Sequence, residues 1–544
     1  MMTAVLGTNI VSPLGRTSQE NYDAVKRGRS ALTGLEKGWN GIPEKITASV
    51  FGISGDTDSK RGRRFEDIVV ESIAAALEGT GVNPSSERTV LIISTTKGDI
   101  ESLVPDTLSR YSGPAGAVHR IARHFGIVTS PVIVCNACIS GGNAQLLAAR
   151  FIGAGIYDNA IVCGADTVSP FTAAGFLSFK ALSPFECRPF DMERRGLNLG
   201  EAAATIVFGR VPDRSSGLWV LEDGAQTNDA YHVSAPSPDG NGVCRAIASV
   251  MEGVSPEDLD CISLHGTATL FNDQMESRAI QDSGLSDIPA MALKGYYGHT
   301  LGASGVLETI ITMKALENGT VLPTRGFEEP GVSGRVSVSA VGRPSGGKGR
   351  FLKILSGFGG CNCALRYGRA ENALPLATDC GHIEVLGDIR MESPYDFDGT
   401  YKTSLENNPK YYKMDMLAKL SYVASELLLK RFPSIRPTSV ILFNGSSSIV
   451  QDRKHVDMVM GNGGFFPSPS VFLYTLPNLT VGELAIRNGI KGETALYILQ
   501  KKDPGLMDDI IRVSLPKGTV ALTGWVDCRA EDDFEVDLKL ITIN

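Results

Sequence analysis

The stretch VIVCNACISGG (132–142) reads as a buried strand that stops, a tight turn carrying Cys138, and small residues that open a helix. Around it, TVLIIS (89–94) and AIVCGA (160–165) are apolar, β-branched runs of strand length. GGNAQLLAARFIGAG (141–155) fits a helix between PVIVC (131–135) and AIVCGA. Strands that are apolar throughout, alternating with helices, predict an α/β fold with interior strands. Later strand candidates are ATIVFGRV (204–211), CISLHG (261–266) and FLKILSGFGG (351–360). A helix-like segment, GASGVLETIITMKALENG (302–319), precedes the last of them.

A chain of 544 residues exceeds one ordinary domain. A net charge of −8 argues against a general nucleic-acid binder. No apolar run reaches membrane-spanning length. The N-terminal MMTAVLGTNIVSP lacks the basic-then-apolar pattern of a secretory leader. The ten cysteines are scattered, and the Cys361/Cys363 pair has no second pair at zinc-site spacing. These features predict a cytoplasmic protein with no disulfide framework, no membrane span and no structural metal.

A polar, small-residue break, RAENALPLATDCG (369–381), predicts a linker between residues 1–368 and 382–544. The second part reads as a worn copy of the start. Val5-Leu6-Gly7 recurs as Val385-Leu386-Gly387, and TVLIIS is echoed by SVILFN (439–444). RIARHFGI (120–127) is echoed by ELAIRNGI (483–490), and AIVCGAD (160–166) by VALTGWVD (520–527). Gly126 and Gly489 differ by 363 positions (489 − 126), and the same shift carries Cys138 onto Lys501. The copy therefore lacks a nucleophile at this place. It also ends before any counterpart of the histidine turns described next, so it is expected to be half a fold and non-catalytic.

A cysteine at a helix N-terminus sits in positive potential, which favours thiolate. Backbone N–H groups of such a turn can face a developing oxyanion. Taken alone, the window leaves two readings open, a nucleophile or an inert buried thiol. Two of only seven histidines lie in similar turns. SLHGTATLFND (263–273) puts His265 at a strand end, and KGYYGHTLGASG (294–305) puts His299 in a glycine-flanked turn before a helix. In α/β folds such turns face a cleft.

Residues 1–368 are identified as resembling the elongating β-ketoacyl-acyl-carrier-protein synthases. Five windows carry the resemblance in order. They are NACISGG; ALSPFECRPFDMERRGLNLGEAA (181–203); HGTAT with Asn272, Asp273 and Glu276; Lys294, His299 and Glu308; and SGFGGCN (356–362). The resemblance implies a thiolase-like, five-layer α/β/α/β/α unit, followed by the extra half-thiolase-like unit. It implies that Cys138 holds an acyl chain while malonyl thioester on an acyl carrier protein decarboxylates, with His265 and His299 donating to the enolate oxygen. The amides of Cys138 and Phe358 would form a second oxyanion hole. Lys294 and Glu308 would support the histidines, or form a plain ion pair. Thr267 and Thr269 would bind the phosphopantetheine arm, Phe358 would gate, and Phe176 would line the acyl pocket. No resident cofactor is implied, since substrates ride on the carrier.

Family members dimerise, so a homodimer or a heterodimer with another ketosynthase is expected. A Cys-His-His set favours an elongating enzyme over chain-initiating (Cys-His-Asn) or degradative relatives. FLYTLPNLTVGELAIRNGIKGE (472–493) resembles an incomplete ketosynthase domain of aryl-polyene and flexirubin-type pigment clusters, which points to fatty-acid-like or polyene secondary metabolism. Departures from the family pattern are Ala268 for glycine or serine, Ser356 for phenylalanine and Cys361 for threonine, the last two beside the gate. The rival readings are a non-catalytic, chain-length-factor-like partner and a coenzyme A acyltransferase.

Overall fold

The computed structural model describes every residue except Met1, 53–63, 101–112, 212–216, 377, 379 and 462–464. Among the described residues, fifteen strands form one continuous sheet. The first unit supplies β1 Met2–Val11, β2 Thr89–Ser94, β3 Val132–Val134, β4 Asn159–Asp166 and β5 Ala202–Val211. It also supplies β6 Trp219–Asn228, β7 Cys261–Ser263, β8 Ala290–Met291, β9 Arg350–Gly357 and β10 Cys361–Arg369. The second unit supplies β11 Ile383–Glu392, β12 Ser439–Asn444, β13 Thr494–Ile498, β14 Val520–Ala530 and β15 Asp533–Ile543. The order across the sheet is β8-β7-β9-β10-β6-β1-β5-β4-β2-β3-β13-β12-β14-β15-β11.

In the first unit, two five-stranded blocks are joined edge to edge where β1 and β6 pair antiparallel, Ala4 opposite Val220. The helices Ser140–Gly153 and Ser304–Glu317 lie between the blocks and contact both. All but two or three residues of each are buried, as expected for helices apolar on every side. Arg64–Leu77 covers one outer face and Asn241–Val250 the other. This is the five-layer α/β/α/β/α arrangement. No helix among the described residues is long and apolar enough to cross a membrane.

The second unit repeats the layout of the first block: β13-β12-β14-β15-β11 is laid out as β3-β2-β4-β5-β1. A bulge in β1 between Val5 and Gly7 has its counterpart in β11 between Val385 and Gly387. Gly126 and Gly489 each follow a helix in the left-handed conformation, with φ of 63° and 64°. Asp166 at the end of β4 accepts from Thr95 Oγ1 and Thr96 N–H in the turn after β2. Asp527 in β14 likewise accepts from Gly445 and Ser446 N–H in the turn after β12. The units meet where β3 and β13 pair antiparallel, Val134 opposite Tyr497. These residues differ by 363 positions (497 − 134), so the repeat meets itself across a local two-fold axis.

The copies differ in the burial of one outer strand. The first eight residues of β5 are all buried. In β15, buried Phe534, Val536, Leu538 and Leu540 alternate with partly exposed Glu535, Asp537 and Lys539. Lys502 bridges Glu535 and Asp537 at 2.7 and 3.0 Å on that charged face. Period-two alternation is what a sheet with one wet face shows. Lys501 is exposed.

Across the junction, Lys97 is 2% exposed and donates to Asp452 Oδ1 (2.7 Å), Ser448 Oγ (3.2 Å) and the Thr475 carbonyl, all in the second unit. Removing one partner of such a pair leaves a buried uncompensated charge, which costs about 3–5 kcal/mol. Asp452→Ala is therefore expected to destabilise the full chain by about that amount in denaturant unfolding. The double substitution Lys97→Met with Asp452→Leu is expected to recover most of the loss. An Asp452→Ala protein of unchanged midpoint would refute this account.

Candidate active site

Three turns bring the reactive side chains together. Cys138 sits in a single 3₁₀ turn, Ala137–Ile139, just before the Ser140–Gly153 helix. His265 lies two residues beyond β7, whose hydrogen-bonded part ends at Ser263, earlier than the apolar run suggests. His299 lies in the turn before the Ser304–Glu317 helix. Each turn holds a non-glycine residue in the left-handed region: Ala137 (φ 47°), Ala268 (62°) and Leu301 (51°). Such backbone costs of order 1–3 kcal/mol per residue and is over-determined by its surroundings. Asp273 holds the amides of Thr267 and Ala268, and Glu276 those of His265 and Gly266. Close helix packing does the rest. A Cβ on Gly141 would lie 3.0 Å from the Gly302 carbonyl and from Gly305 Cα, so glycine sets the approach of Cys138 to His299.

Ligating atoms of Cys138, His265 and His299 lie within 4.8 Å of one another, and the two imidazoles stand edge to face with centroids 5.2 Å apart. All three line a 450 Å³ cavity, together with Thr267, Thr269, Phe176 and Phe358. A Cβ on Gly357 would stand 3.2 Å from the Cys138 amide nitrogen, so the glycine keeps space open there.

The hydrogen-bond partners assign both tautomers. His299 Nδ1 accepts from Leu301 N–H at 3.2 Å, which puts the proton on Nε2. That Nε2 is buried and has no partner among the described residues. His265 Nδ1 faces the Lys294 ammonium at 3.4 Å, an obligate donor, so its proton also sits on Nε2. Burial first, then Lys294 and Lys353, holds both imidazoles well below 6.5 and neutral.

Lys294 and Glu308 do meet, at 2.8 Å, and the sequence reading missed the third member. Lys353 in β9 reaches the other Glu308 oxygen at 2.5 Å. Burial would raise Glu308, but two ammoniums hold it below the usual carboxylate range. Burial lowers Lys353, which shares that single carboxylate with Lys294. The signal was a lone lysine in the apolar run FLKILSG. Asp166 was missed too. Besides the Thr95–Thr96 turn it accepts from Gly302 N–H at 2.7 Å, tying β2 to the His299 turn. Burial raises its carboxyl to about 6.

The expected thiolate at rest is corrected. Burial pushes the Cys138 thiol up to about 12, against the opposing charge of Lys294. A helix N-terminus is worth about 0.3–2 kcal/mol. Moving a thiol from 9 to about 12 corresponds to roughly 4 kcal/mol. Desolvation therefore wins, and the closed site holds a neutral thiol beside two neutral imidazoles.

The profiles "Beta-ketoacyl synthase, N-terminal domain" and "Beta-ketoacyl synthase, C-terminal domain" match residues 3–213 and 219–328. The "3-oxoacyl-[acyl-carrier-protein] synthase 2" of Mycobacterium bovis is 31% identical over 311 residues, 54% of this chain and 73% of the relative. That of Vibrio cholerae is 29% identical over 366 residues, 60% and 88%. The Xenorhabdus doucetiae ketosynthase solved with its chain length factor superposes with a TM-score of 0.59 at 25% identity, over 68% of this chain and 98% of that one. A structure described as "PfaC Keto synthase-Chain length factor" aligns with all of this chain and 78% of its own, at 14% identity and a TM-score of 0.77. It shares the fold of both units. Fold and site define a thiolase-fold acyltransferase. The chain belongs to the β-ketoacyl synthase family.

The depressed imidazoles make a pH prediction. Both rings are expected to stay neutral in nitrogen-15 NMR as pH falls through 6.5, the ordinary histidine value. The unfolded chain protonates them there and the folded chain does not, so folding stability drops as pH falls below about 6.5. A ring titrating near 6.5 would contradict the assignment.

Proposed function

We propose that this protein is a 3-oxoacyl-[acyl-carrier-protein] synthase, using Cys138 as nucleophile in a decarboxylative Claisen condensation. The carrying observation is the Cys138, His265 and His299 cluster on one cavity wall, with both Nε2–H groups directed away from their Nδ1 anchors. Cys138 Sγ attacks an acyl-carrier thioester, the carrier thiol leaves, and it takes up the cysteine proton. In a malonyl thioester the bond to the carboxylate then breaks, carbon dioxide departs, and the electron pair moves onto the thioester oxygen. Two neutral N–H donors fixed in a dry site stabilise that enolate without reorganising. The enolate carbon attacks the acyl-cysteine, and the Cys138 sulfur leaves as a thiolate that takes up a proton from solvent to restore the thiol. The amides of Cys138 and Phe358 receive the oxyanion of each acyl transfer. Lys294, with Glu308 and Lys353 behind it, positions His265.

Thr267 and Thr269, whose hydroxyls lie 2.9 Å apart on the cavity wall, bind the phosphopantetheine arm of an acyl carrier protein. The rim is suited to the carrier itself: Phe271 and Leu270 are exposed apolar groups beside Arg195 and Lys180. Phe176 and Phe358, 6.2 Å apart and stacked, line and gate the acyl pocket. We further infer that the second unit is non-catalytic and stands at the β3 edge in place of a pairing ketosynthase. A role in fatty-acid-like or polyene secondary metabolism, in a reducing cytoplasm, agrees with ten free cysteines.

The test is intact-mass analysis with acyl- and malonyl-carrier protein. The wild type is expected to form an acyl adduct on Cys138 and a product two carbons longer, and Cys138→Ala neither. His265→Ala or His299→Ala is expected to slow decarboxylation about 10²–10³-fold, the usual effect of losing one oxyanion donor. No adduct would favour a chain-length-factor-like partner. An adduct without decarboxylation would favour a coenzyme A acyltransferase.

A further inference from the structure

The loop between β9 and β10, Phe358 to Gly360, is held from both units. Two successive carbonyls of it each receive an asparagine amide. Asn228 Nδ2, at the end of β6, donates to the Gly359 carbonyl at 2.9 Å. Asn478 Nδ2, in the second unit, donates to the Phe358 carbonyl at 2.8 Å. The Cys361 thiol is a weaker second donor to that carbonyl, at 3.3 Å. The Gly359 N–H donates to the Val233 carbonyl at 2.7 Å. A Cβ on Gly482 would lie 2.9 Å from Gly359 Cα, so the second unit also meets the loop backbone to backbone.

Asn478 reaches the loop at the expense of its own helix. It is the N-cap of Leu479–Asn488, where an asparagine side chain ordinarily accepts from the first turn. It makes no capping bond. A carbonyl only accepts, so the Phe358 carbonyl fixes the amide nitrogen and leaves Oδ1 turned away. Asn478 is 2% exposed, and that Oδ1 is buried with no partner among the described residues. A buried acceptor left unmet costs stability, so the side chain gives up a cap and an acceptor for one contact with the loop. The repeat shows that the helix does not demand this. The shift of 363 carries Asn478 onto Ala115 (478 − 363) and Gly482 onto His119 (482 − 363), in the matching helix Gly113–His124. Both copies follow this helix with a left-handed glycine, Gly126 and Gly489. The shared shape is built as well with alanine and histidine. The asparagine and the glycine answer to what they touch.

We propose that Asn478 is a positioning residue that the second unit supplies to acyl transfer: its amide fixes the Phe358 carbonyl and so holds the Phe358 N–H where it shares the oxyanion with the Cys138 N–H. This rests on the reading of Cys138 as the acyl acceptor. In that step Cys138 Sγ bonds the acyl carbon and the carbonyl electron pair moves onto oxygen. Its return expels the donor thiol, which takes the cysteine proton. Two amides receive the oxyanion only while the Phe358 backbone stays in place. The enolate of the malonyl thioester is received by His265 and His299, which sit on other turns. Loss of the Asn478 amide therefore separates the two partial reactions.

The experiment reads two rates on the same sample of full-length protein. One is acylation of Cys138 by butyryl-N-acetylcysteamine, followed by intact mass. The other is carbon dioxide release from malonyl-N-acetylcysteamine. Asn478→Ala is expected to slow acylation by about 10- to 10²-fold, the scale of a small misplacement of a catalytic group, with carbon dioxide release unchanged. Asn478→Leu keeps the volume and removes the donor, and is expected to do the same. Gly482→Ala pushes on Gly359 with the asparagine still present, and is expected to slow acylation selectively too. The ratio of the two rates is internal to each protein and does not depend on the fraction folded. A ratio unchanged in the Asn478 variants, whether both rates hold or both fall together, overturns the proposal. Should neither of those fold, an unchanged ratio in Gly482→Ala overturns it. Absence of acylation in the wild type would instead remove the nucleophile reading and this proposal with it.

Discussion

The pairing of β3 with β13 is the constraint on which the rest of the molecule depends. β3 is only three residues long and leads directly into the Cys138 turn. An edge strand at this place would leave backbone donors and acceptors unpaired next to the reactive sulfur. β13 covers that edge at Val134 and Ile133, and the contact continues past the strand end. The Cys135 N–H donates to the Leu496 carbonyl at 3.3 Å, and Asn136 Oδ1 accepts from Leu496 N–H at 2.8 Å. The second unit therefore holds both residues that enter the strained Ala137–Cys138 turn. A shift of β13 would move the nucleophile before it moved anything else in the site.

Charge enforces the same dependence. Three buried lysines lie near Cys138, and their charges are met in two ways. Lys294 and Lys353 share Glu308 within the first unit, and their excess positive charge adds to burial in keeping the imidazoles neutral. Lys97 donates to three acceptors in the second unit. Desolvation of an ammonium costs several kcal/mol even after relaxation, so these contacts tie the two units together. Arg150 with Glu493, at 2.9 Å, is a second pair across the boundary.

Much of this was legible in the sequence because it is written locally. Apolar β-branched runs marked β2, β4 and β5, and small residues after Cys138 marked the helix that follows. His265 and His299 stood out through the Gly/Thr-rich turns around them. The 363-residue shift was readable because a helix-ending glycine needs a left-handed backbone in both copies. What was not legible is long-range. Nothing near Lys97 announces Ser448, Asp452 or Thr475, some 350 to 380 positions away. Lys353 looked like an ordinary strand residue because its partner, Glu308, comes from a helix in another layer. The resting state of Cys138 was misjudged because helix position is visible in a sequence and desolvation is not.

The two copies separate what the fold needs from what the chemistry needs. The second unit keeps the bulge at Val385–Gly387, the Asp527 anchor, the glycine after its helix and the strand order, all of which are requirements of shape. At the position of the sulfur it has exposed Lys501. The outer face of β15 carries Glu535, Asp537 and Lys539, all partly exposed. Its other surfaces stay apolar where they meet the first unit, at Phe472, Leu476 and the β13 edge. A copy that had simply decayed would have lost these contacts along with the cysteine. Keeping the interface while losing the nucleophile is the pattern expected if its remaining work is to complete the site of its neighbour.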